Sequence, residues 1–595
     1  MIINALYQYY QRLLEDPTSG VPRPGYNMAR ISFALNLSPE GELLDIIDLR
    51  VTEGKRLLPR NMEVPERLRG TSNISANYMW DNADYIFGFD TKGKPERAKE
   101  CFASFVQLHT TLLGNVQDPG AQALVAFLEN WNPEEAAEYP LLQEYKDDLK
   151  AGANFVFRLA GTAGYLHERP ALQQVWEDYR EERSSDYIGQ CLVTGRKAPV
   201  ARLHPPIKGV AGAQSTGAAL VSFNLDAFTS FGKEQSFNAP VSEEVAFGYT
   251  TALNYLLQSP NHRLGIGDTT TVFWAERPAG QEEDLLAELL DPTLVEDKKP
   301  AGYRRDPATT EHVRHILTRI RKAQPIADTM LNIDPEARFY ILGLAPNAAR
   351  LAVRFWHMDT IGNLVQKIGR HYCDTELVPM RPQDPPFIPL WQILRETAPQ
   401  RDTARIPPLL GGALMRSILQ GIDYPFGLYS TLISRIRADR EINYTRAAVI
   451  KAYLLRKARL QGDKKKEVMI TVALNEHSTN TAYRLGRLFA LLEKAQQDAN
   501  PGIGATIRDR YFGAASANPG RVFPILLRLA QHHIAKSDYK VAIDKGIEEV
   551  VAGIDSFPAN LDLEEQGLFV LGYYHQRQAL YQKKTSEGVK ENDSR

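Results

Sequence analysis

The amino-acid sequence predicts an α+β fold, a mixed α/β N-terminal and central body followed by an all-α C-terminal helical bundle. Three observations carry this reading. Ile31, Phe33, Leu35 and Leu37 alternate at period two, as a half-buried strand requires. Phe339 to Leu344 and Arg350 to Phe355 flank Ala345-Pro346-Asn347 in a second strand–turn–strand pattern. From Leu409 onward the apolar residues keep helical spacing, punctuated by turns at Asn500-Pro501-Gly502 and Asn518-Pro519-Gly520.

Taken in order, a helix is expected over Ile2 to Leu14, ended by the turn-rich stretch Asp16 to Gly25. A strand from Ala29 to Leu37 turns at Ser38-Pro39-Glu40-Gly41 and returns through Leu43 to Leu49. Lys55 to Arg69 holds five basic and two acidic side chains and reads as an exposed basic loop. Helical patterns follow to about residue 185, among them Arg97 to Leu113 with Phe102, Phe105, Leu108 and Leu112 on one face. Glycine then rises, at Gly195, Gly209, Gly212 and Gly217. Ala219 to Phe223 and Thr269 to Trp274 read as strands around a helix from Ser242 to Leu257. Gln281 to Pro300, with seven acids against two lysines, reads as a solvated helix and linker. With a Pro-rich boundary from Val378 to Pro408, the chain divides as 1–190, 191–375, 376–468 and 469–595.

A chain of 595 residues has material for several domains, and 43% hydrophobic with 24% charged residues exclude a disordered or collagen-like polymer. The 70 basic and 72 acidic side chains nearly cancel, so nucleic-acid binding requires a local concentration of charge. Three scattered cysteines exclude a disulfide framework or a thiolate metal site. The first residues lack the basic and apolar regions of a signal peptide, and no apolar run has the length of a membrane span. A reduced, cytoplasmic protein without a membrane anchor is expected.

Catalytic signatures are missing: there is no phosphate-binding GxxxxGK[ST], no HExxH and no CxxC. His312 and His315 lie among Arg314, Arg319 and Arg321, which disfavours a metal cation, and neither metal nor cofactor is expected. Ala213-Gln214-Ser215-Thr216-Gly217 approximates a nucleophile elbow with Ala213 at the first glycine. A cytoplasmic serine hydrolase on Ser215, with Asp226 or Asp268 and His262, is therefore one alternative. The other reading is non-enzymatic. Lys208 to Gly217 joins one cation to Gln214, Ser215 and Thr216 on a glycine-rich loop. Glycines let backbone amides approach phosphates, amides and hydroxyls bond base edges, and lysine meets a phosphate or purine acceptor. An ordinary connection packed over a sheet has the same composition.

Charge concentrates in the helical third. Thr431 to Leu460 carries eight cations, among them Arg435, Arg437 and Arg440, against two acids. Arg484, Arg487, Arg508, Arg510 and Arg521 follow on later helices. Solvated helix faces give such runs, and so does a groove that follows a phosphate backbone, as in a generic nucleic-acid-binding scaffold.

Several segments together resemble the large subunit of the type I-C CRISPR interference complex (Cascade), nearly end to end. They include Asp81-Asn82-Ala83-Asp84-Tyr85-Ile86-Phe87-Gly88, Cys191-Leu192-Val193-Thr194-Gly195 and His204-Pro205-Pro206-Ile207-Lys208-Gly209-Val210. Gln214-Ser215-Thr216-Gly217, Val221-Ser222-Phe223-Asn224, Leu342-Gly343-Leu344-Ala345-Pro346-Asn347 and Leu571-Gly572-Tyr573-Tyr574-His575-Gln576-Arg577 continue the likeness. The resemblance implies a subunit without chemistry of its own that recognises a protospacer-adjacent motif (PAM) on duplex DNA, helps open it and stabilises the R-loop. Its implied partners are the backbone and foot subunits, the 5′ end of the guide RNA, the displaced single strand and a separate helicase–nuclease. Lys208, Gln214, Ser215 and Thr216, together with Asn73, Asn77, Lys55, Arg56 and Arg60, are expected at the PAM duplex. Arg435, Arg437, Arg440, Arg484, Arg487, Arg508, Arg510 and Arg521 are expected along the strand backbone. The resemblance also implies small-subunit copies made from within the gene. Lys464-Lys465-Lys466-Glu467 is encoded by purines alone, and Met469 follows closely as an internal start.

Overall fold

The alternation between Ala29 and Leu37 belongs to two strands rather than one. In the computed structural model, β1 (Tyr26–Ile31) and β2 (Phe33–Leu37) are separated at Ser32, whose N–H donates to Asn154 O at 2.9 Å and whose carbonyl accepts from Leu49 N–H at 2.9 Å. The structure describes all residues except 55, 68–73, 279, 293–306, 323, 325–332, 538–539 and 582–595. The chain forms two compact units, Met1–Pro205 with Val221–Tyr255, and Pro206–Leu220 with Leu256–Arg595.

In the first unit β3 (Leu43–Asp48) returns antiparallel to β2 as expected. Where the structure describes it, the expected basic loop is largely strand: β4 (Val51–Glu53) pairs with β5 (Arg56–Leu58), and β6 (Arg60–Pro65) pairs with β1, while residues 55, 68 and 69 lie outside the described residues. Met62 and Val64 alternate inward there, a period-two signal that the flanking charges mask. β7 (Trp80–Asn82) and β8 (Asn154–Leu159) complete a sheet of order β3-β2-β8-β7, in which β2 and β8 run parallel. Parallel neighbours need a long crossover, and helices Pro95–Leu113 and Pro119–Asn130 lie within it. Phe33, Leu35, Phe155 and Phe157 face the helices with Phe105, Leu124 and Phe127, whereas Ala34 and Val156 face β1 and β6 with Ile31, Met62 and Val64. A two-stranded ribbon, β9 (Ile188–Gln190) with β10 (Lys197–Pro199), follows. The helix Glu243–Gln258 meets helix Ile2–Glu15 at Gly248, where an added methyl would strike the Tyr10 ring.

The second unit opens on an antiparallel sheet, β11 (Arg263–Ile266), β12 (Thr269–Ala275), β13 (Arg338–Asn347) and β14 (Arg350–Thr360), in that spatial order. Its inner face packs Phe273, Phe339, Ile341 and Phe355 against helices Gly280–Leu290, Pro307–Arg321 and Ile361–Asp374. The acidic helix is thus not a solvated one: Leu285, Leu286, Leu289 and Leu290 are buried. Of its acids only Asp284 is exposed; Glu282 and Glu283 are half-buried and Glu288 is buried, and residues 293–300 of the expected linker lie outside the described residues.

Past Leu409 the described structure is helical. Helices Thr481–Ala499 and Leu563–Tyr581 cross closely because each gives the other a glycine. A methyl on Gly486 would strike Phe569 O, and one on Gly572 would strike Tyr483 O. Phe489, Phe512, Phe523 and Tyr573 pack edge-to-face around that crossing, with Phe489–Phe512 centroids 5.5 Å apart.

Candidate nucleic-acid interface

The glycine-rich segment is a closed loop on the edge of the second unit's sheet. Ile207 and Ala218 form an antiparallel bridge, exchanging N–H···O bonds of 2.9 and 2.8 Å. One residue further, Ala219 bridges in parallel to Arg350 on β14, so the stem is anchored to the sheet. The expected strand Ala219 to Phe223 is reduced to this single bridge, because beyond Leu220 the chain leaves for the other unit. Inside the loop Val210 is buried, Ala211 N–H donates to Thr270 Oγ1 at 3.0 Å, and Gly217 N–H closes a turn on Gln214 O at 2.9 Å. Gly217 has φ +102°, and a side chain there would strike Pro206 and Lys208.

Lys208, Gln214, Ser215 and Thr216 are exposed on this one loop, and Lys208 lies alongside the Gln214–Gly217 turn that carries the other three. The loop therefore offers one ammonium, one amide and two hydroxyls from a stem fixed at both ends. This is not a nucleophile elbow, which needs a strand running directly into a helix under Ser215. Of the expected partners, Asp268 accepts from Arg354 Nη2 at 2.7 Å, His262 Nδ1 lies 3.2 Å from Phe273 O, and Asp226 is exposed in the first unit.

The remaining expected duplex contacts belong to the first unit. Arg56 on β5 and Arg60 at the start of β6 are exposed. Asn77 is buried at 3% exposure; its N–H donates to Asp81 Oδ2 at 3.0 Å inside a tight turn that puts Met79 at φ +61°. Asn77 thus supports the fold and is withdrawn from the surface. Lys55 and Asn73 lie outside the described residues.

The basic helices divide sharply. Arg446, Lys451 and Arg456 are buried on helix Tyr444–Leu460 and meet acids from elsewhere. Arg446 pairs with Glu396 at 2.8 Å and Asp439 at 2.6 Å, and Arg456 and Arg459 both bond Asp374. Lys457 and Lys466 share Glu564. Burial pulls Lys451 down to about 8, and its ammonium donates to Asp374 O at 3.0 Å. Burial alone would raise Asp439, but hydrogen bonds from Arg435 and Arg446 hold its carboxyl below the ordinary range.

Among the expected strand contacts, Arg435 is paired with Asp439, and Arg484 bonds the carbonyls of Ser478 and Gly553. Arg487 is buried, donating to Gln576 Oε1 and Glu476 O at 3.0 Å each, and is removed from any groove. Arg508 is half-buried, 3.6 Å from Asp509. Arg437, Arg440, Arg510 and Arg521 are exposed and can meet a phosphate backbone.

Among the described residues, no group of three or more His, Cys, Asp or Glu side chains could hold a metal ion, and no helix is long and apolar enough to cross a membrane. A search of curated proteins finds no match. A protein family described as CRISPR-associated protein (Cas_Csd1) matches residues 6–581, nearly the whole chain, including the bridged loop, both sheets and the helical region. The chain belongs to this family of CRISPR-associated proteins.

Proposed function

We propose that the chain is the non-catalytic large subunit of a type I-C RNA-guided surveillance complex. In this reading it recognises the PAM on duplex DNA, helps unwind the target, stabilises the R-loop and recruits a separate helicase–nuclease. Base pairing with the guide reads the target, and the protein reads only the short motif and the duplex shape. The observation that carries the reading is the bridged loop in a chain of a CRISPR-associated family: Lys208, Gln214, Ser215 and Thr216 are exposed together on a stem tied to a sheet edge. Such a stem keeps donors in place, and a fixed amide discriminates base edges better than a mobile one. Exposed Arg56, Arg60, Arg437, Arg440, Arg510 and Arg521 supply sequence-independent phosphate binding.

The test is target binding by the assembled complex carrying Gln214→Ala or Lys208→Ala. Removing a side chain that bonds a base edge should weaken binding of PAM-containing duplex by about 1–3 kcal/mol, with guide loading unchanged. Parental discrimination between PAM and non-PAM targets in both variants removes the loop from the reading. Equal affinity of the parental complex for both targets leaves a generic scaffold.

A further inference from the structure

One ring in the first unit is placed where neither folding nor solvent favours it. Phe231 is 99% exposed at the tip of the turn Ser230-Phe231-Gly232-Lys233. Ser230 and Lys233 bridge, with Lys233 N–H donating to Ser230 O at 3.0 Å, and Phe231 and Gly232 take φ of +52° and +71°. Two successive positive φ values make a mirror-image turn, which ordinarily takes asparagine, aspartate or glycine at both positions. A bulky aromatic residue in that conformation is a backbone outlier, and full exposure gives it no packing in return.

The turn is fixed from behind. The Asn238 side chain accepts from Ser230 N–H at 3.0 Å and donates to Lys233 O at 2.7 Å and Gln235 O at 2.9 Å. Gln235 Oε1 accepts from Arg202 Nε at 2.7 Å, and the Phe237 ring lies 4.6 Å from that of Tyr187. The ring is therefore held out on a braced stem.

The chemistry around the tip selects the ligand. Thr229, Ser230 and Gly232 are small, and Lys233 is offset by the exposed carboxylates of Asp226 and Glu234, so the loop does not track a phosphate chain. A protein interface needs a broad patch around its anchor; Leu225 and Phe228 are also exposed, at 57% and 37%, but they lie outside the bridged turn, whose tip carries the Phe231 ring as its one large apolar group. A lone ring on a narrow tip suits stacking on a nucleobase or insertion at a base step.

We propose that Phe231 is a stacking finger that packs on a target-DNA base as the duplex opens. The inference rests on the reading of the chain as a DNA-engaging subunit. It is tested in the assembled complex by permanganate reactivity of thymines beside the motif. Phe231→Ala should slow opening about tenfold, the scale of a single base–aromatic stack. Phe231→Trp should retain opening, and both variants should keep the parental melting temperature because the ring packs on nothing. A target with a pre-opened mismatch bubble should restore Phe231→Ala to the parental rate. Unchanged opening of intact duplex in Phe231→Ala overturns the finger while leaving the general reading standing. A deficit that persists undiminished on the bubble also overturns it, since the ring would then serve a purpose other than opening. If the parental complex opens no duplex, the reading beneath the finger fails and the finger with it.

Discussion

Arg456 Nε donates to Asp374 Oδ2 at 2.9 Å across 82 residues of chain, and the two side chains are 3% and 0% exposed. Arg459 Nη2 takes the other carboxylate oxygen at 2.8 Å, and the Arg456 guanidinium lies 4.0 Å from the centre of the Tyr424 ring. A buried pair is expensive to assemble and more expensive to leave half-made. Asp374→Asn should therefore destabilise the second unit by about 3–5 kcal/mol, because the buried Arg456 loses its counter-charge while Arg459 keeps only Glu467. Denaturant unfolding checks this. A loss below about 1 kcal/mol, the range of exposed pairs, would show that water reaches the site.

His109 gives the first unit an acid sensitivity. Phe105 O only accepts, so Nδ1, 2.7 Å away, carries the proton; Nε2 then accepts from Met79 N–H at 2.8 Å. Burial drives this imidazole from an ordinary 6.5 down to about 4, and His167 and His204 likewise. Between those pH values the unfolded chain binds protons that the folded one refuses. Stability thus falls as pH drops from 6.5 toward 4, by up to about 1.4 kcal/mol per pH unit for each histidine. Asp81, pushed up to about 7 by burial, works in the opposite sense and offsets about one of them. His109→Gln should reduce proton uptake on unfolding at pH 5 by nearly one proton. The same uptake in both proteins would place the charge elsewhere.

The arginines that face solvent should differ from those inside. Replacing Arg437, Arg440, Arg510 and Arg521 with serine should flatten the slope of log K against log salt by about 0.7–0.9 for each phosphate no longer neutralised, leaving PAM preference intact. Arg487→Leu should lower the melting temperature instead, since Gln576 Oε1 and Glu476 O lose their donor. An unchanged slope in the fourfold variant would assign those arginines to solvent or to a protein partner.

A product beginning at Met469 should appear as a species of about 14 kDa, at about 110 Da per residue. Such a fragment keeps the glycine crossing of Gly486 and Gly572 but loses Lys457 and Lys466 from Glu564 and the Tyr429 Oη–Leu563 O bond of 2.8 Å. Intact mass of the products from a C-terminally tagged gene checks this. Absence of the species, or its persistence after recoding the purine tract and removing nearby start codons, rejects internal initiation at Met469.

The sequence by itself determined the fold class, the helix Ile2–Glu15, the hairpin β2–β3, the strand pair β13–β14 and the helical C-terminal region. Each rests on apolar periodicity, which is local and survives in one dimension. It also carried the family likeness and the composition of the loop at Lys208 to Gly217. What it misread were segments whose structure depends on distant partners. The charges of Lys55 to Arg69 hid β6 because its partner is β1, some thirty residues earlier. The basic excess of Thr431 to Leu460 resembled a solvated or DNA-facing surface because its counter-ions come from Asp374, Glu396 and Glu564. Ion pairing across 82 or 107 residues has no periodic signature, so only the tertiary structure separates the buried Arg456 from the exposed Arg437. The exposure of Phe231 is of the same kind: a phenylalanine in a sequence reads as core, and only backbone φ and packing place its ring in water.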